Sequence, residues 1–136
     1  MSLGFVATQF SVNVKHNVLI VTLGAPSSKE DDFYLMLQHK DEYTTEDIKF
    51  GMDLPYIEYC GQGWSWYGHI QNFSLNRKYV RVQMDEEAAT HMHNDGLIEV
   101  QFNLNDTQYE ELRSALRRTF QGFAYYCEEG QQLQRG

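Results

Sequence analysis

Apolar and polar residues alternate along much of this chain, and a period of two is typical of strands whose two faces meet different surroundings. Residues 5–14 and 17–23 alternate in this way on either side of a short polar break. Asn17 stands in that break, and asparagine tolerates the unusual backbone conformation that a tight turn requires. The front of the chain therefore predicts a β-hairpin and points to a fold rich in β-sheet.

More strands are predicted further along. Residues 33–40 are apolar at both odd and even positions, which predicts a strand buried on both faces. Polar and turn-forming residues separate the later candidates, which are residues 56–60, 67–76, 79–84 and 97–104.

Three helices are predicted, and only the last is long. Thr44 or Thr45 can cap a single helical turn, and residues 85–92 predict a short helix with acids at its start, where the helix dipole favours them. Residues 105–120 predict the long helix, capped by Asn105 or Asp106 and ended near Gly122. Its apolar stripe has helical spacing and consists of Tyr109, Leu112, Leu116 and Phe120.

These elements together predict an α+β fold, mainly an antiparallel β-sheet with one long C-terminal α-helix packed on one face. The length of 136 residues predicts a single domain, residues 1–136. We expect an ordered core over about 4–124 and a frayed tail over 125–136, because the last residues offer little to bury.

The net charge of −8 bears on possible partners. Such a charge repels phosphate backbones, so no nucleic-acid partner is predicted, while it steers a basic protein towards the chain. Solubility alone is the plainer explanation of the charge. No apolar run approaches the roughly 18 residues of a membrane span, and the start lacks a basic region followed by an apolar stretch. We therefore expect a cytoplasmic protein with no membrane partner, in which Cys60 and Cys127 are free thiols.

No arrangement of reactive residues predicts a catalytic, metal or cofactor site. Cys60 could face His69 across a hairpin, but acidic surroundings disfavour the thiolate that catalysis needs. His91 and His93 form a close pair that lacks a third nitrogen or sulfur ligand nearby. Asp53 and Glu58 could do acid–base work, but a solvated or partner-facing role explains these acids better.

The segment YIEYCGQGWSWYGHI, residues 56–70, concentrates large rings around a glycine-rich bend. Alternation places Ile57 and Tyr59 on one face of the first strand, with Tyr56, Glu58 and Cys60 on the other. In the second strand Trp64 and Trp66 share a face, opposite Ser65 and Tyr67. Cross-strand packing explains the rings on one side, but rings on both sides exceed what a core needs. One side is predicted to close the sheet and the other to meet a partner; stacking of a sugar on the rings is an alternative.

Three stretches of the chain resemble a known family in the order of their elements: GMDLPYIEYCGQGWSWYGHI, LNRKYVRVQMDEEAA and IEVQFNLNDTQYEELRSALRRTF, covering 51–70, 75–89 and 98–120. Gly-Met-Asp precedes a Tyr-Ile-Glu strand, a glutamine lies in the bend, and Tyr-Gly comes before an isoleucine. A basic turn then leads into a valine-rich strand, and a strand ending in Leu-Asn-Asp precedes a helix rich in leucine and arginine. From about Phe33 to Phe120 the chain resembles the immunity protein 10 family of bacterial polymorphic toxin systems.

This resemblance implies an antidote that binds a cognate toxin in the cytoplasm and blocks it, with no catalysis and no cofactor. We expect a basic toxin, for example a nuclease, anchored by rings and paired through carboxylates. The predicted partner-binding residues are Asp53, Tyr56, Glu58, Tyr59, Gln62, Trp64, Trp66 and Tyr67. A small-molecule or carbohydrate-binding module is the first alternative, and a small hydrolase or metalloprotein is the second. A homodimer formed through a sheet edge or the aromatic hairpin also stays open.

Overall fold

A computed structural model describes residues 3–25, 33–60 and 64–129 of the chain. The strands are β1 (Leu3–Val6), β2 (Gln9–Lys15), β3 (Val18–Ala25), β4 (Phe33–Lys40), β5 (Tyr56–Tyr59), β6 (Ser65–Tyr67), β7 (Ile70–Leu75), β8 (Tyr79–Met84), β9 (Leu97–Gln101) and β10 (Tyr126–Glu128). The helices are α1 (Thr45–Lys49), α2 (Glu86–Met92) and α3 (Asp106–Thr119). Within the described residues the strands form two five-stranded sheets: sheet I in the order β1-β9-β8-β7-β10 and sheet II in the order β2-β3-β4-β5-β6.

The fold is mostly antiparallel, as predicted, but the prediction of one sheet is wrong. Two segments that were predicted as continuous strands each cross from one sheet to the other. The first crossing is at Ala7 and Thr8, whose amides donate to Gln101 O of sheet I (2.7 Å) and Gly24 O of sheet II (2.8 Å), respectively. The second is at Gly68 and His69, which both have positive φ, of 81° and 64°. At the first crossing the side chains that pack in the core change from odd positions (Leu3, Phe5 and Ala7) to even positions (Phe10 and Val12).

The predicted hairpin is confirmed as β2 and β3, paired antiparallel from Gln9–Gly24 to Lys15–Val18. His16 and Asn17 have φ of 52° and 65°, the left-handed conformation that a two-residue hairpin turn requires. The edge strand β1 pairs in parallel with β9, and β10 pairs in parallel with β7. These two pairs are the exceptions to the antiparallel arrangement among the described strands.

Helix α3 has 14 residues and lies against β2, β3 and β4 of sheet II. Its predicted stripe is buried, and at its C-cap the Phe120 ring lies 4.7 Å from the Phe73 ring of sheet I. One cluster of buried side chains therefore contains residues of both sheets and of α3. Asn105 caps the helix in a box with Gln108, which confirms the predicted start.

The tail differs from the prediction of a frayed segment starting at 125. Tyr126–Glu128 forms β10, and the Tyr126 ring stacks on Phe120 at 5.4 Å. Arg117 of α3 also donates two hydrogen bonds of 2.7 Å to the Glu128 carboxylate. The prediction overlooked the aromatic side chains after Gly122: Phe123, Tyr125 and Tyr126 all pack against the core. The rest of the predicted tail, 130–136, lies outside the described residues.

The prediction that residues 33–40 form a strand buried on both faces is wrong for β4. Only Leu35 and Leu37 point into the core, while Tyr34, Met36 and Gln38 are half-exposed on the opposite face. The strand is therefore buried on one face, because the outward face of sheet II is only partly covered.

Candidate partner-binding surface

The β5–β6 hairpin divides the rings of the aromatic segment between two faces of sheet II. Its register pairs Tyr56 with Tyr67, Ile57 with Trp66 and Glu58 with Ser65. Directly paired residues project to the same side of a sheet. Because Ile57 is almost fully buried, the face with Trp66 points inward and the face with Tyr56, Glu58 and Tyr67 points outward. The predicted faces are therefore confirmed for the paired residues, whereas Cys60 lies beyond the end of β5, with a φ of 52°, and packs against the core.

The inward rings belong to the fold. Tyr59 is only 4% exposed and stacks on Trp64 with ring centroids 6.2 Å apart, so its interpretation as an exposed anchor is wrong. Burial strongly raises the pKa of the Tyr59 hydroxyl and keeps it protonated. Trp64 and Trp66 are half-buried and pack against the core. Trp66 also meets the ring of His91 edge-on at 6.0 Å, which ties the hairpin to α2.

The outward face carries a cluster that we call the tyrosine surface: Tyr34, Tyr56, Glu58 and Tyr67. The Tyr56 hydroxyl donates to Glu58 Oε1 at 2.6 Å, and the Tyr34 hydroxyl donates to Glu58 Oε2. Tyr56 and Tyr67 place their ring centroids 5.1 Å apart, and Tyr67 is 41% exposed. A carboxylate is thus held in a fixed position beside an exposed ring.

Protonation at this surface follows from burial and from the carboxylate. Burial, and then the hydrogen bond to Glu58, raise the pKa of Tyr56 above its usual value. Its hydroxyl therefore remains a proton donor throughout the neutral range and keeps Glu58 in place. The tyrosine surface is consequently a hydrogen-bonded unit at neutral pH.

The sequence interpretation missed Tyr34. In the β4–β5 register, Met36 lies opposite Glu58. Tyr34 is therefore the diagonal neighbour of Glu58, and its long side chain can reach the Glu58 carboxylate. The alternation of β4 could have shown that Tyr34, Met36 and Gln38 share a face. What it could not show is that β4 lies beside β5, because pairing between strands leaves no local pattern.

The segment before β5 borders the tyrosine surface. Leu54 approaches Gly68 so closely that a Cβ at Gly68 would come within 2.7 Å of it, and Gly68 also has a positive φ. Met52, Leu54, Tyr56 and Tyr67 are among the residues that line one small cavity of about 30 Å³. This cavity has room for about one water molecule and is far smaller than a metabolite pocket.

The structure separates the two predicted carboxylates. Asp53 lies in the turn after α1, where its charge adds to the effect of burial in raising the pKa of Tyr43. Glu58 lies on β5 and is held by Tyr34 and Tyr56. The remaining predicted residue, Gln62, lies outside the described part of the chain, as does the rest of the bend at 61–63.

Residues with reactive side chains do not assemble into a site in the described ranges. Cys60 lies 3.6 Å from the Tyr34 carbonyl, and burial raises the pKa of its thiol, which disfavours a thiolate. His69 instead contacts Asp85 at 2.9 Å. In residues 3–25, 33–60 and 64–129, no three metal-binding side chains are grouped to hold an ion. None of the helices there is long and apolar enough to cross a membrane.

Comparison with known proteins identifies a family for this chain. Neither the curated proteins nor the solved structures contain a significant relative of this sequence. The family model for immunity protein 10 matches residues 6–110, a range that includes sheet II, the tyrosine surface and most of sheet I. This range covers more than half of the 136 residues, and the chain belongs to the immunity protein 10 family.

Proposed function

We propose that this chain neutralises a toxin protein by binding it, without a chemical step, and that the tyrosine surface is part of the contact. Family membership supports an immunity role. The observation that carries the proposed site is the Glu58 carboxylate, which two tyrosine hydroxyls hold on the outward face of sheet II. The encounter is proposed to occur in the cytoplasm.

The fixed carboxylate suits a cationic side chain of a partner. Each Glu58 oxygen accepts one hydrogen bond from a tyrosine, and each has a further lone pair available to an arginine or lysine. Because the tyrosines already hold the carboxylate, binding loses less side-chain entropy than it would with a mobile glutamate. A charge-assisted pair at this position would also discriminate against acidic partners.

The exposed ring beside Glu58 supplies the apolar part of the contact. Tyr67 offers a large, nearly rigid surface, and Tyr56 supports it from the side. Tyrosine is enriched among residues that dominate binding energies, because it buries much area with few rotatable bonds. Trp64 and Trp66 lie on the inward face, and we assign them mainly to the stability of the hairpin.

The negative net charge of the chain favours association with a basic toxin. A chain with a charge of −8 attracts a basic toxin over a distance of about a Debye length, which raises the association rate more than the affinity. A nuclease is one class of toxin that has a basic surface, because it must bind a phosphate backbone. Asp53, in the turn that precedes β5, adds negative charge on this side of the chain.

The test uses the toxin domain encoded next to this chain's gene, co-expressed with the chain in bacterial cells and also studied as purified protein. Wild-type chain should restore growth and bind the domain. Tyr67→Ala should weaken Kd about 30-fold and Glu58→Gln at least about 10-fold, with an unchanged melting temperature. Glu99→Gln is the matched control, because Glu99 is a carboxylate held by Arg81 on sheet I. Failure of the wild-type chain to bind or protect would refute the proposed function.

The carbohydrate-binding alternative has less support. The cavity beside the tyrosines measures about 30 Å³, so a sugar would have to stack on the open face rather than enter a pocket. A ligand that binds only the folded chain raises its melting temperature. A sugar screen that raised the melting temperature of wild type but not of Tyr67→Ala would favour this alternative over the proposal.

A further inference from the structure

Helix α1 is an ordered element that buries none of its residues. It is five residues long, and so short a helix is unstable alone in water because nucleation is unfavourable. A complete capping box holds it, in which Thr44 Oγ1 accepts from the Asp47 amide at 3.0 Å and Asp47 Oδ2 accepts from the Thr44 amide at 2.9 Å. Lys40 Nζ also lies 3.6 Å from Asp47 Oδ2, which ties α1 to the end of β4.

This helix displays large apolar side chains to solvent. Ile48 is 58% exposed and Phe50, the C-cap residue, is 67% exposed, the highest value among the exposed large hydrophobic residues described. The backbone at the C-terminal end of α1 is fixed as well, because the Gly51 amide donates to Ile48 O and the Met52 amide donates to Asp47 O. Two apolar groups on a fixed backbone are pre-organised for a contact.

The apolar side chains of this segment continue to the tyrosine surface. Leu54 is also exposed, and it lies with Tyr56 and Tyr67 around the same small cavity. We call Ile48, Phe50 and Leu54 the α1 surface. Of these three residues Leu54 borders the proposed toxin contact, and Phe50 and Ile48 precede it in the chain by four and six residues.

Negative charge is concentrated around the α1 surface. Residues 41–53 contain five carboxylates and one lysine, a net charge of −4 against −8 for the whole chain. Arg118 and Lys40 engage two of these acids, Asp41 and Asp47. Glu42 and Glu46 are exposed, and the one lysine, Lys49, places its Nζ 5.9 Å from the centroid of the Phe50 ring, so the rim of the α1 surface is acidic except at Lys49. Apolar side chains surrounded by carboxylates match a partner that has an apolar recess rimmed by arginine and lysine.

We propose that Ile48 and Phe50 are the apolar anchors of toxin binding and that they insert into an apolar recess with a basic rim on the toxin. This inference rests on the proposed function and names a second part of the same contact. The acidic rim disfavours a second copy of this chain as the occupant, because pairing would bring the exposed Glu42 and Glu46 of two copies together.

The experiment compares apolar truncations at equal exposure. Ile48→Ala and Phe50→Ala are made in the full chain, with Val6→Ala as the matched control, because Val6 is 58% exposed on β1, the edge strand of sheet I. Binding to the purified toxin domain encoded next to the gene is measured together with the melting temperature. We expect Kd to weaken about 30-fold for Phe50→Ala, about 10-fold for Ile48→Ala and less than about two-fold for Val6→Ala.

A second pair of variants tests the charge. Phe50→Lys places a cation against a basic rim and should weaken binding more than Phe50→Ala does. Replacing Glu42 and Glu46 together by glutamine should slow association about three-fold, leave dissociation nearly unchanged and reduce the salt dependence of the association rate. If Phe50→Lys binds like wild type, the basic-rim occupant is wrong.

The outcomes separate this inference from the proposed function. If wild type binds and Tyr67→Ala weakens binding while Phe50→Ala does not, the α1 inference is overturned and the proposed function stands. If Phe50→Ala lowers the melting temperature by more than about 5 °C, Phe50 is part of the fold and the inference also fails. If wild type sediments as a dimer and Phe50→Ala as a monomer, a second copy occupies the surface and the inference is overturned. If wild type does not bind the domain, both proposals fail.

Discussion

Helices α1 and α3 start with the same local chemistry and differ in what they bury. Each has a complete capping box, formed by Thr44 with Asp47 and by Asn105 with Gln108. Helix α3 buries five of its residues in the core that it shares with both sheets, whereas α1 buries none. The cap fixes where a helix begins, and packing decides what the helix contributes. Helix α3 therefore holds the fold together, and α1 carries side chains that are available to a partner.

The largest expected effect is on the free energy of unfolding, which truncation of a side chain should lower much more in α3 than in α1. Leu112 of α3 is completely buried, so Leu112→Ala should lower the free energy of unfolding by about 3 kcal/mol through lost burial and a cavity. Ile48→Ala in α1 removes an exposed side chain and should change it by less than about 0.5 kcal/mol. Urea denaturation at constant pH measures both. A loss of more than about 2 kcal/mol for Ile48→Ala would remove the distinction between the helices.

Removing the helix caps should also lower the free energy of unfolding more for α3 than for α1, by a smaller amount. Asn105→Ala should cost about 1 kcal/mol of global stability, because α3 unfolds together with the core. Thr44→Ala should leave the global free energy within about 0.5 kcal/mol and instead speed amide exchange at Asp47 and Ile48, because α1 can open locally. Equal global losses for both variants would show that α1 unfolds only with the core.

The smallest effect is a pH dependence at the C-terminal end of α3. The hydrogen bonds from Arg117 hold the pKa of Glu128 below its reference value of 4.5. A carboxyl group whose pKa is lowered by folding adds stability above the unfolded pKa, and this stability is lost as pH falls through the folded pKa. After a discount for the exposure of Arg117, the contribution is about 0.5 kcal/mol. Glu128→Gln should therefore be less stable than wild type at pH 6, and the difference should vanish well below pH 4.5. A difference that persisted in acid would indicate lost packing rather than lost charge.

The two helices also show what the sequence reveals. Caps, apolar stripes and hairpin turns are local, so the start of α3 at Asn105 and the turn at Asn17 could be predicted from a few neighbouring residues. The alternation in β5 and β6 likewise divided the rings correctly between two faces. The burial of Tyr59 was not predicted, because alternation shows which residues share a face but not which face the core covers.

Long-range pairing could not be predicted in the same way. The crossings at Ala7–Thr8 and at Gly68–His69 depend on backbone hydrogen bonds to residues 13 or more positions away in sequence. For the same reason Tyr34 was missed: it reaches Glu58 only because β4 and β5 are neighbours in sheet II. The α1 surface was also absent from the prediction, because a capped turn with apolar residues is usually buried and only the fold shows that Phe50 is exposed.

Hydrogen–deuterium exchange of the chain with and without the neighbouring toxin domain shows whether the α1 surface and the tyrosine surface form the contact. A contact made by these two surfaces slows amide exchange in residues 45–59 and 64–67, which carry the α1 surface and most of the tyrosine surface, and leaves β1 and β9 unchanged. Unchanged exchange in 45–59 and 64–67, with new protection along β1 and β9 instead, would contradict it.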